Sequence, residues 1–372
     1  MKRLFSMVIV VVLACSMLLT GCGGTGSTPA EKGGEPPKAE DMTVGFIYVG
    51  PIGDGGWTYA HDQGRLHLEQ ELGVKTIYRE SVPEGPEVKN VMKEMIDQGA
   101  KVIFATSFGY MDYMEEVSKE FPDVTFLHCS GYKTTENMAN YFGRMYEPRY
   151  LSGLVAGMKS KSNKIGYVAA YPIPEVIRGI NAFTLGVRAV NPDATVMVRW
   201  TSTWYDPAKE KEAAKALLDE GADIISQHQD TAGPQQAAEE RNVWAIGYNT
   251  DSQAKAPKAY MTAPVWNWGP YYADQVKAVM DGTWKSHSYW GGTNEGIVSL
   301  APLTDLAPEG AQAKVEEVTA KIKDGSFHVF QGPIKDQAGE VKVEEGKALT
   351  DQELLSDKSM NWFVEGVEGK IE

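Results

Sequence analysis

The sequence predicts an α/β protein of two lobes, each built on a parallel β-sheet. From Met42 onward, short apolar runs that are typical of buried strands alternate with longer amphipathic segments that are typical of helices. This alternation favours a doubly wound parallel sheet, because parallel neighbours need a long crossover connection. The pattern begins again at Lys164, without a shared short repeat, and therefore indicates two lobes of similar topology.

The first lobe is predicted to span residues 42–162, together with a helix near 269–283 that returns to it. Its strands are predicted at 43–49, 75–80, 102–107 and 124–129, and its helices at 57–72, 86–98 and 109–120. Gly99 follows the second of these helices, in the position where glycine commonly ends a helix. A further helix is predicted near 147–159.

The second lobe is predicted at 163–268, together with 284–307. Its strands are predicted at 164–170, 195–200, 223–227, 243–248 and 259–265, and its helices at 174–190, 207–220 and 233–241. Asp206 is the expected N-cap of the middle helix, because Pro207 directly after it suits a first helical turn.

A C-terminal extension, residues 308–372, follows the two lobes. One helix is predicted in it at 311–323, and a hairpin-like turn at 332–339. We expect the extension to wrap back and pack on the lobes.

The N-terminus predicts export and lipid anchoring. Residues 1–21 combine Lys2 and Arg3 with a short apolar run and a small-residue end, which is the pattern of a secretory signal peptide. Small residues directly before Cys22 resemble a bacterial lipobox, although an ordinary signal peptide with a coincidental cysteine is the alternative. The run is too short to span a membrane. We expect Cys22 to carry the lipid, residues 22–41 to form a flexible tether, and the protein to act extracytoplasmically on the periplasmic side or outer face of the cell membrane.

Composition and motifs narrow the function. The formal net charge of -14 argues against a nucleic-acid partner. The histidines and cysteines show no metal-ligand spacing, and neither a nucleophile elbow nor a phosphate-binding loop is present in the sequence. We therefore expect no metal, no cofactor and no catalytic residues.

Aromatic residues recur at the predicted strand-to-helix turns, where parallel sheets bind their ligands. The first turn, at 50–64, is glycine-rich and carries Trp57 on its helical side. For one such residue, packing in the core is the better explanation, but several together favour walls for a planar heteroaromatic ligand. The candidate wall residues are Trp57, Phe108, Tyr110, Tyr171, Trp204 and Trp266.

Polar side chains accompany the aromatic ones at the same turns. They are Asp54, Asp230, Asn249 and Asp251. Asp54 and Asp251 are equally explained as helix caps or turn residues, whereas Asp230, just past a strand, is the stronger candidate for ligand binding. A sugar site would also use Trp and Asp, but it needs more Asn, Asp and Arg than these turns offer.

Short stretches along most of the chain resemble one known family. They are 53–64, 163–167 with 173–174, 189–192, 206–211, 221–225 and 245–247. In their order and spacing they resemble the basic membrane protein family of ABC-transporter solute-binding lipoproteins, whose characterised members include purine nucleoside receptors. The resemblance implies a type I periplasmic-binding-protein fold whose two lobes close on the ligand about a hinge, with an ABC permease and its ATPase as partners. We expect a monomer, because closure and docking both need free surfaces.

The resemblance also assigns roles within the binding site. Trp57 falls where the family has a stacking Phe, and Trp204 resembles a second aromatic wall. Three departures distinguish this sequence: Asn249 replaces an Asp that holds ribose, Trp266 replaces a Lys near the ribose, and Tyr48 replaces an Asp suited to purine N1–H. The departures, and a tail similar to that of an adenine-binding sub-branch, favour an adenine-like base, with Trp266 filling the ribose space. Tyr48 would donate to N1, Asp230 would accept from the exocyclic amine, and Asn249 would pair at the N6/N7 edge.

Other readings stay open from the sequence. The ligand could be a nucleoside or another heteroaromatic, such as a thiamine-like ring. The chain could also be an anchored enzyme acting on nucleosides, with Asp230 or Asp54 as general base, or a sensor that presents its closed lobes to a signalling partner.

Overall fold

The computed structural model describes residues 39–356 and 360–371. The predicted signal peptide, the predicted lipidation site Cys22 and most of the predicted tether lie outside the described residues. The last part of the tether, Ala39–Asp41, forms a 3₁₀ turn that leads into the first strand. Within the described part of the chain, no helix has the length and apolar character needed to cross a membrane.

The first lobe is a parallel sheet covered by helices on both faces, as predicted. Its elements are β1 (Thr43–Ile47), α1 (Trp57–Leu72), β2 (Lys75–Arg79), α2 (Glu87–Asp97), β3 (Ala100–Ala105), α3 (Met111–Glu120), β4 (Thr125–Cys129) and β5 (Met138–Gly143). The hydrogen-bonded strand order is β2-β1-β3-β4-β5, and β1 lies in parallel register between β2 and β3. Helix α1 packs on one face and helices α2 and α3 on the other, because both faces of these strands are apolar.

Helix α4 (Tyr146–Lys159) leaves the first lobe and begins the second. The second-lobe elements are β6 (Lys164–Ala169), α5 (Pro174–Val190), β7 (Thr195–Trp200), α6 (Pro207–Asp219), β8 (Ile224–His228), α7 (Gly233–Glu240), β9 (Trp244–Ile246) and β10 (Tyr260–Thr262). Their strands form a second parallel sheet in the order β10-β9-β8-β6-β7. Helices α4 and α5 cover one face, and α6 and α7 cover the other.

The chain then returns to the first lobe before it ends on the second. The returning elements are β11 (Pro264–Trp266), α8 (Gly269–Met280), β12 (Ser288–Gly291) and β13 (Val298–Leu300). Strands β11 and β13 pair with each other in antiparallel fashion, outside both sheets. Helix α8, in the region of the predicted helix near 269–283, packs beside α1.

Two predicted lobe boundaries are wrong. Residues 147–159, predicted in the first lobe, form the helix α4 that packs along α5, because its apolar side chains, including Leu151 and Leu154, belong to the second-lobe core. Residues 284–307, predicted in the second lobe, include β12, which pairs with β5 and extends the first sheet. Neither contact has a local signature, because each joins segments that are distant in sequence.

The C-terminal extension is part of the second lobe. Its elements are α9 (Ala311–Lys323), β14 (Ile334–Lys335), β15 (Val341–Val343), α10 (Asp351–Leu355) and β16 (Val367–Glu368). Helix α9 packs on α4, and β16 pairs with β7 and so extends the second sheet. Buried side chains of the extension, among them Phe330, Met360 and Phe363, join the same core as α5.

Local signals in the sequence located the helices well and the short strands less well. Helices α1, α5 and α9 have the predicted bounds, and the Asp206 carboxylate accepts from the amides of Ala208 and Lys209 at the start of α6, as predicted. The strand predicted at 259–265 is divided into β10 and β11, which pair in different sheets.

Candidate functional site

A cavity lies between the carboxyl ends of the two sheets, where the turns of both lobes meet. The lining surrounds about 370 Å³ of space between atoms, part of which is open to solvent. Its walls are formed by Val49, Trp57, Ser107, Phe108, Ser130, Glu175, Trp204, His228, Asp230 and Tyr248. The first five of these belong to the first lobe and the others to the second, so that each lobe contributes half of the lining.

Trp57 forms the aromatic wall on the first-lobe side. It lies in the first turn of α1, and its indole Nε1 donates to the carbonyl of Thr106 at the end of β3, at 2.7 Å. Behind it, Trp266 and Trp268 stack on each other with ring centres 4.4 Å apart, and both meet Trp57 edge-on at 5.8 Å. These contacts hold the indole of Trp57 in one orientation toward the cavity.

Asp54 caps the helix that carries Trp57. Its carboxylate accepts from the backbone amides of Gly56, Thr58 and Tyr59 at 2.8, 2.9 and 3.0 Å. Between the two roles that the sequence left open, the structure places Asp54 as a cap, outside the cavity lining. Burial raises the pKa of its carboxyl to about 6, although the three amides act in the opposite direction.

The glycine-rich turn also brings the two lobes into contact. A Cβ atom on Gly56 would collide with the carbonyl oxygen of Asp230, so that only glycine allows this approach. Next to it, the hydroxyl of Thr250 donates to the carbonyl of Gly55 at 2.6 Å. The structure is therefore a closed arrangement of the lobes around the cavity.

Asp230 is the buried carboxylate of the second-lobe wall. It follows β8, and its Oδ1 accepts from the Asn249 side-chain amide at 3.3 Å. Burial is the main cause that raises its pKa well above the ordinary value, and the neighbouring carboxylates of Asp54 and Glu210 add to the effect. A ligand N–H group aimed at this carboxylate would supply the hydrogen bond that its ionised form needs.

Asn249 supports the site from behind the lining. It has a positive φ of 70°, is fully buried, and accepts from the Trp266 indole at 3.1 Å while its amide nitrogen donates to Asp230. Since both ends of its amide are engaged, Asn249 orients the carboxylate and the aromatic layer. Asn249 lies outside the cavity lining, and its direct contact with the ligand stays a prediction.

His228 and Glu175 are cavity residues that the sequence reasoning missed. The Nε2 atom of His228 lies 3.4 Å from Glu175 Oε1 and 3.4 Å from the Tyr248 hydroxyl. Burial lowers the pKa of His228 to about 4, so that its ring is neutral near pH 7. Their positions in the sequence could have identified both as candidates. His228 lies two positions before Asp230, and Glu175 lies at the start of the helix that follows β6.

Two predicted tyrosines lie in the first-lobe core instead of the cavity. The Tyr48 hydroxyl donates to Asp62 at 3.3 Å beneath α1, and Val49 takes its place in the lining. The Tyr110 hydroxyl donates to the Val82 carbonyl at 2.5 Å. The predicted donation from Tyr48 to a purine N1 is therefore corrected.

Three further predicted residues lie near the site without lining it. Tyr171 meets Trp204 edge-on, with ring centres 5.1 Å apart, and both line a shallow depression beside the cavity. Asp251 is exposed and accepts from the Gln253 amide at 3.3 Å, as a turn residue does. Trp266 lies behind Trp57, so its predicted place in the ribose space is not observed.

The four remaining predicted residues lie in the lining of the cavity, and their contact with a ligand stays a prediction. Trp57 and Phe108 from the first lobe face Trp204 and Asp230 from the second across one cavity. Flat aromatic surfaces on opposite lobes, two carboxylates and a neutral imidazole suit a planar ring that carries N–H donors.

A family profile matches most of the chain. It is described as "ABC transporter substrate-binding protein PnrA-like", and the match covers residues 42–329.

Two curated relatives are similar over nearly their full lengths. A purine-binding protein of Brucella abortus is 47% identical over 341 residues, which cover 91% of this chain and 96% of the relative. A putative ABC transporter glucose-binding protein of Haloferax volcanii is 38% identical, with 93% of this chain and 85% of the relative covered.

The fold also matches solved structures. An ABC transporter solute-binding protein from Conexibacter woesei superposes with a TM-score of 0.65 at 23% identity, covering 77% of this chain and 98% of that one. At this identity the match establishes the two-lobed periplasmic-binding-protein fold and no more.

Proposed function

Because the chain belongs to the PnrA-like family of ABC transporter substrate-binding proteins, we propose that it captures a purine between its closing lobes for import. One observation carries this proposal: Trp57 and Trp204 approach a single cavity from opposite lobes, beside the buried carboxylate of Asp230. The similarity to a relative named as purine-binding supports the same ligand class. Stacking contributes about 1–3 kcal/mol for each aromatic partner. Two walls would therefore supply a large share of the binding free energy of a micromolar complex.

An adenine-like base is favoured over a nucleoside. Free adenine carries N–H donors on both of its rings, and the cavity offers the carboxylates of Asp230 and Glu175 as acceptors. A nucleoside has lost the donor at N9 and brings ribose hydroxyls instead. Asn249 stands at the position that holds ribose in related receptors, but its side chain already makes hydrogen bonds with Asp230 and Trp266.

The proposed setting is the outer side of the cell membrane. We propose that Cys22 is lipidated, that the monomeric protein is tethered by residues 22–41, and that it delivers its ligand to an ABC permease with its ATPase. Incorporation of labelled fatty acid into the wild type, and its loss in Cys22→Ala, is the expected result. Equal labelling of both proteins contradicts the lipid anchor.

Calorimetry with adenine, adenosine, inosine and glucose tests the ligand. We expect adenine to bind most tightly, and native mass spectrometry to find a purine base retained through purification. Tighter binding of adenosine or inosine contradicts the preference for a base. Tightest binding of glucose, the ligand after which the Haloferax relative is named, contradicts the purine class. Chromatography of adenosine and inosine after incubation with the protein tests the enzyme alternative, since a binding protein releases no free base from them.

A further inference from the structure

A group of buried polar atoms lies beneath the cavity, between the second sheet and helices α4 and α5. Arg149 on α4, Tyr167 on β6 and His228 at the end of β8 are all buried. Arg149 Nε, the Tyr167 hydroxyl and His228 Nδ1 have no hydrogen-bond partner among the described residues. Buried polar groups without a partner are costly, and a native fold rarely leaves three of them together.

The three atoms surround one point, next to Gly179 on α5. A Cβ atom at Gly179 would lie 3.6 Å from His228 Nδ1, 3.7 Å from Arg149 Nε and 3.7 Å from the Tyr167 hydroxyl. Four different elements therefore converge on a space that any other residue at position 179 would fill. We call this space the Gly179 niche.

We propose that the Gly179 niche holds one internal water molecule, which makes His228 a hydrogen-bond donor toward the ligand. The water accepts from Arg149 Nε–H and from the Tyr167 hydroxyl, and it donates to His228 Nδ1. Three polar partners are the usual number for a buried water. With Nδ1 accepting, the proton of the neutral ring is on Nε2, the nitrogen near the cavity residue Glu175.

The contacts of His228 favour water over a small anion. An anion in the niche would require a proton on Nδ1, because a lone pair there would repel it. The neutral ring would then have no proton on Nε2, which lies 3.4 Å from the acceptor Glu175 Oε1. Water satisfies Nδ1 and leaves the Nε2 proton for Glu175, the Tyr248 hydroxyl or the ligand.

This inference extends the proposed function by assigning a donor to the second-lobe wall. Asp230 and Glu175 accept hydrogen bonds, whereas His228 in the Nε2–H form donates one. Such a wall is complementary to a ring that has N–H donors and an unprotonated nitrogen on adjacent edges, as adenine has. Gly179 and the water are positioning elements, since they act on the ligand through His228.

Gly179→Ala tests the niche directly. The added methyl lies at ordinary van der Waals distance from its neighbours, so we expect the variant to fold, and alanine suits a helix interior better than glycine. The methyl occupies the place of the water. We expect the ¹⁵N resonance of His228 Nδ1 in the ligand-free protein to shift, because this nitrogen loses its hydrogen bond, and the Kd for adenine to rise by about tenfold or more.

Two further variants make the result specific. Tyr167→Phe removes one partner of the water without filling the niche, and we expect a smaller change of the same kind. Thr184→Ala, on the same helix, removes a buried hydroxyl that donates to the Ile180 carbonyl, and it should leave the His228 Nδ1 resonance and adenine affinity unchanged.

The outcomes separate this inference from the proposed ligand. A proton on Nδ1 in the wild type, or an unchanged Nδ1 resonance in Gly179→Ala, overturns the inference, whatever the affinity for adenine. A shifted Nδ1 resonance with unchanged adenine affinity overturns the positioning role. If the Nδ1 resonance shifts but neither the wild type nor the variant binds adenine, the water is supported and the purine proposal fails.

Discussion

At the residue scale, the site depends on a few side chains whose neighbours leave them one orientation. Trp57 is 9% exposed, tied by its Nε1 to the end of β3 and backed by the stacked pair Trp266 and Trp268. Asp230 is held by the Asn249 amide. Because the walls are fixed before the ligand arrives, little side-chain entropy is lost on binding.

Removal of either aromatic wall should weaken binding. We expect Trp57→Ala and Trp204→Ala each to reduce adenine affinity by about 1–3 kcal/mol, because each deletes one stacking face. Calorimetry measures the change. Trp284→Ala, which removes a half-buried indole bonded to Gln275 outside the cavity lining, is the control and should bind adenine as the wild type does. Unchanged affinity in both wall variants contradicts the two-wall arrangement.

The proposed acceptor role of Asp230 predicts a loss of ligand affinity in a nearly isosteric variant. Asp230→Asn places an amide where one carboxylate oxygen accepts from the ligand, and we expect adenine affinity to fall by about 1.5–3 kcal/mol, the range for hydrogen bonds to charged groups. Asp251→Asn changes an exposed turn residue and should have no effect. Comparable losses in the two variants would argue for a general charge effect instead of a contact.

At the element scale, the start of α1 links helix stability to the binding wall. Asp54 satisfies amides at the N-terminus of this helix, and Trp57 lies in its first turn. A carboxylate also accepts from backbone amides at the start of α6, where Asp206 caps a helix that contributes no residue to the cavity lining. Capping is therefore a local feature, and its effect on ligand binding depends on which helix it supports.

The two caps predict different consequences for the same substitution. We expect Asp206→Ala to lower the free energy of unfolding by about 0.5–2 kcal/mol, as loss of an N-cap does. Asp54→Ala should have a similar effect, because it leaves the amides of Thr58 and Tyr59 in the first turn of α1 without their acceptor. Urea denaturation measures this. Only Asp54→Ala should also weaken adenine binding, since only that cap positions Trp57. Normal adenine affinity in Asp54→Ala would show that the wall does not depend on the cap.

At the whole-molecule scale, closure brings acidic groups from both lobes together. Asp54 lies in the first lobe, and Asp230, Glu210 and Glu175 lie in the second. The pKa values of Asp54 and Asp230 are both raised, with burial as the first cause and their mutual repulsion adding to the shift at Asp230. A ligand that donates N–H groups to Asp230 offsets this cost, which couples binding to closure.

This charge arrangement predicts that acid favours closure of the ligand-free protein. The pKa of Asp54 is raised from an ordinary 3.8 to about 6, so the closed form prefers the protonated carboxyl. The contribution is fully present below the ordinary value and is lost as pH rises through about 6. Small-angle scattering should therefore give a smaller radius of gyration at about pH 5 than at about pH 8.

Asp54→Asn provides the control for the pH response. The variant is neutral at every pH and should show a smaller difference in radius of gyration between the two conditions. If the wild type has the same radius at both pH values, or if the variant responds as strongly, the acidic pair does not govern closure.

The sequence predicted the large elements because their signals are local. The apolar period of α1, α5 and α9 and the proline after Asp206 are readable within one segment. Strand β12 and the placement of α4 were missed because each depends on a partner far away in the chain. The predicted walls Trp57 and Trp204 line the cavity because the carboxyl ends of parallel strands converge there.

The sequence by itself thus determined two α/β lobes, and the edges of their sheets that carry aromatic and acidic residues. Only the tertiary structure decided which of these side chains face the cavity. Successive strand residues point to opposite sides, so that Tyr48 enters the core while its neighbour Val49 reaches the lining. The pair of His228 and Glu175 likewise exists only because the ends of β8 and β6 lie side by side, a contact that depends on strand pairing and not on local pattern.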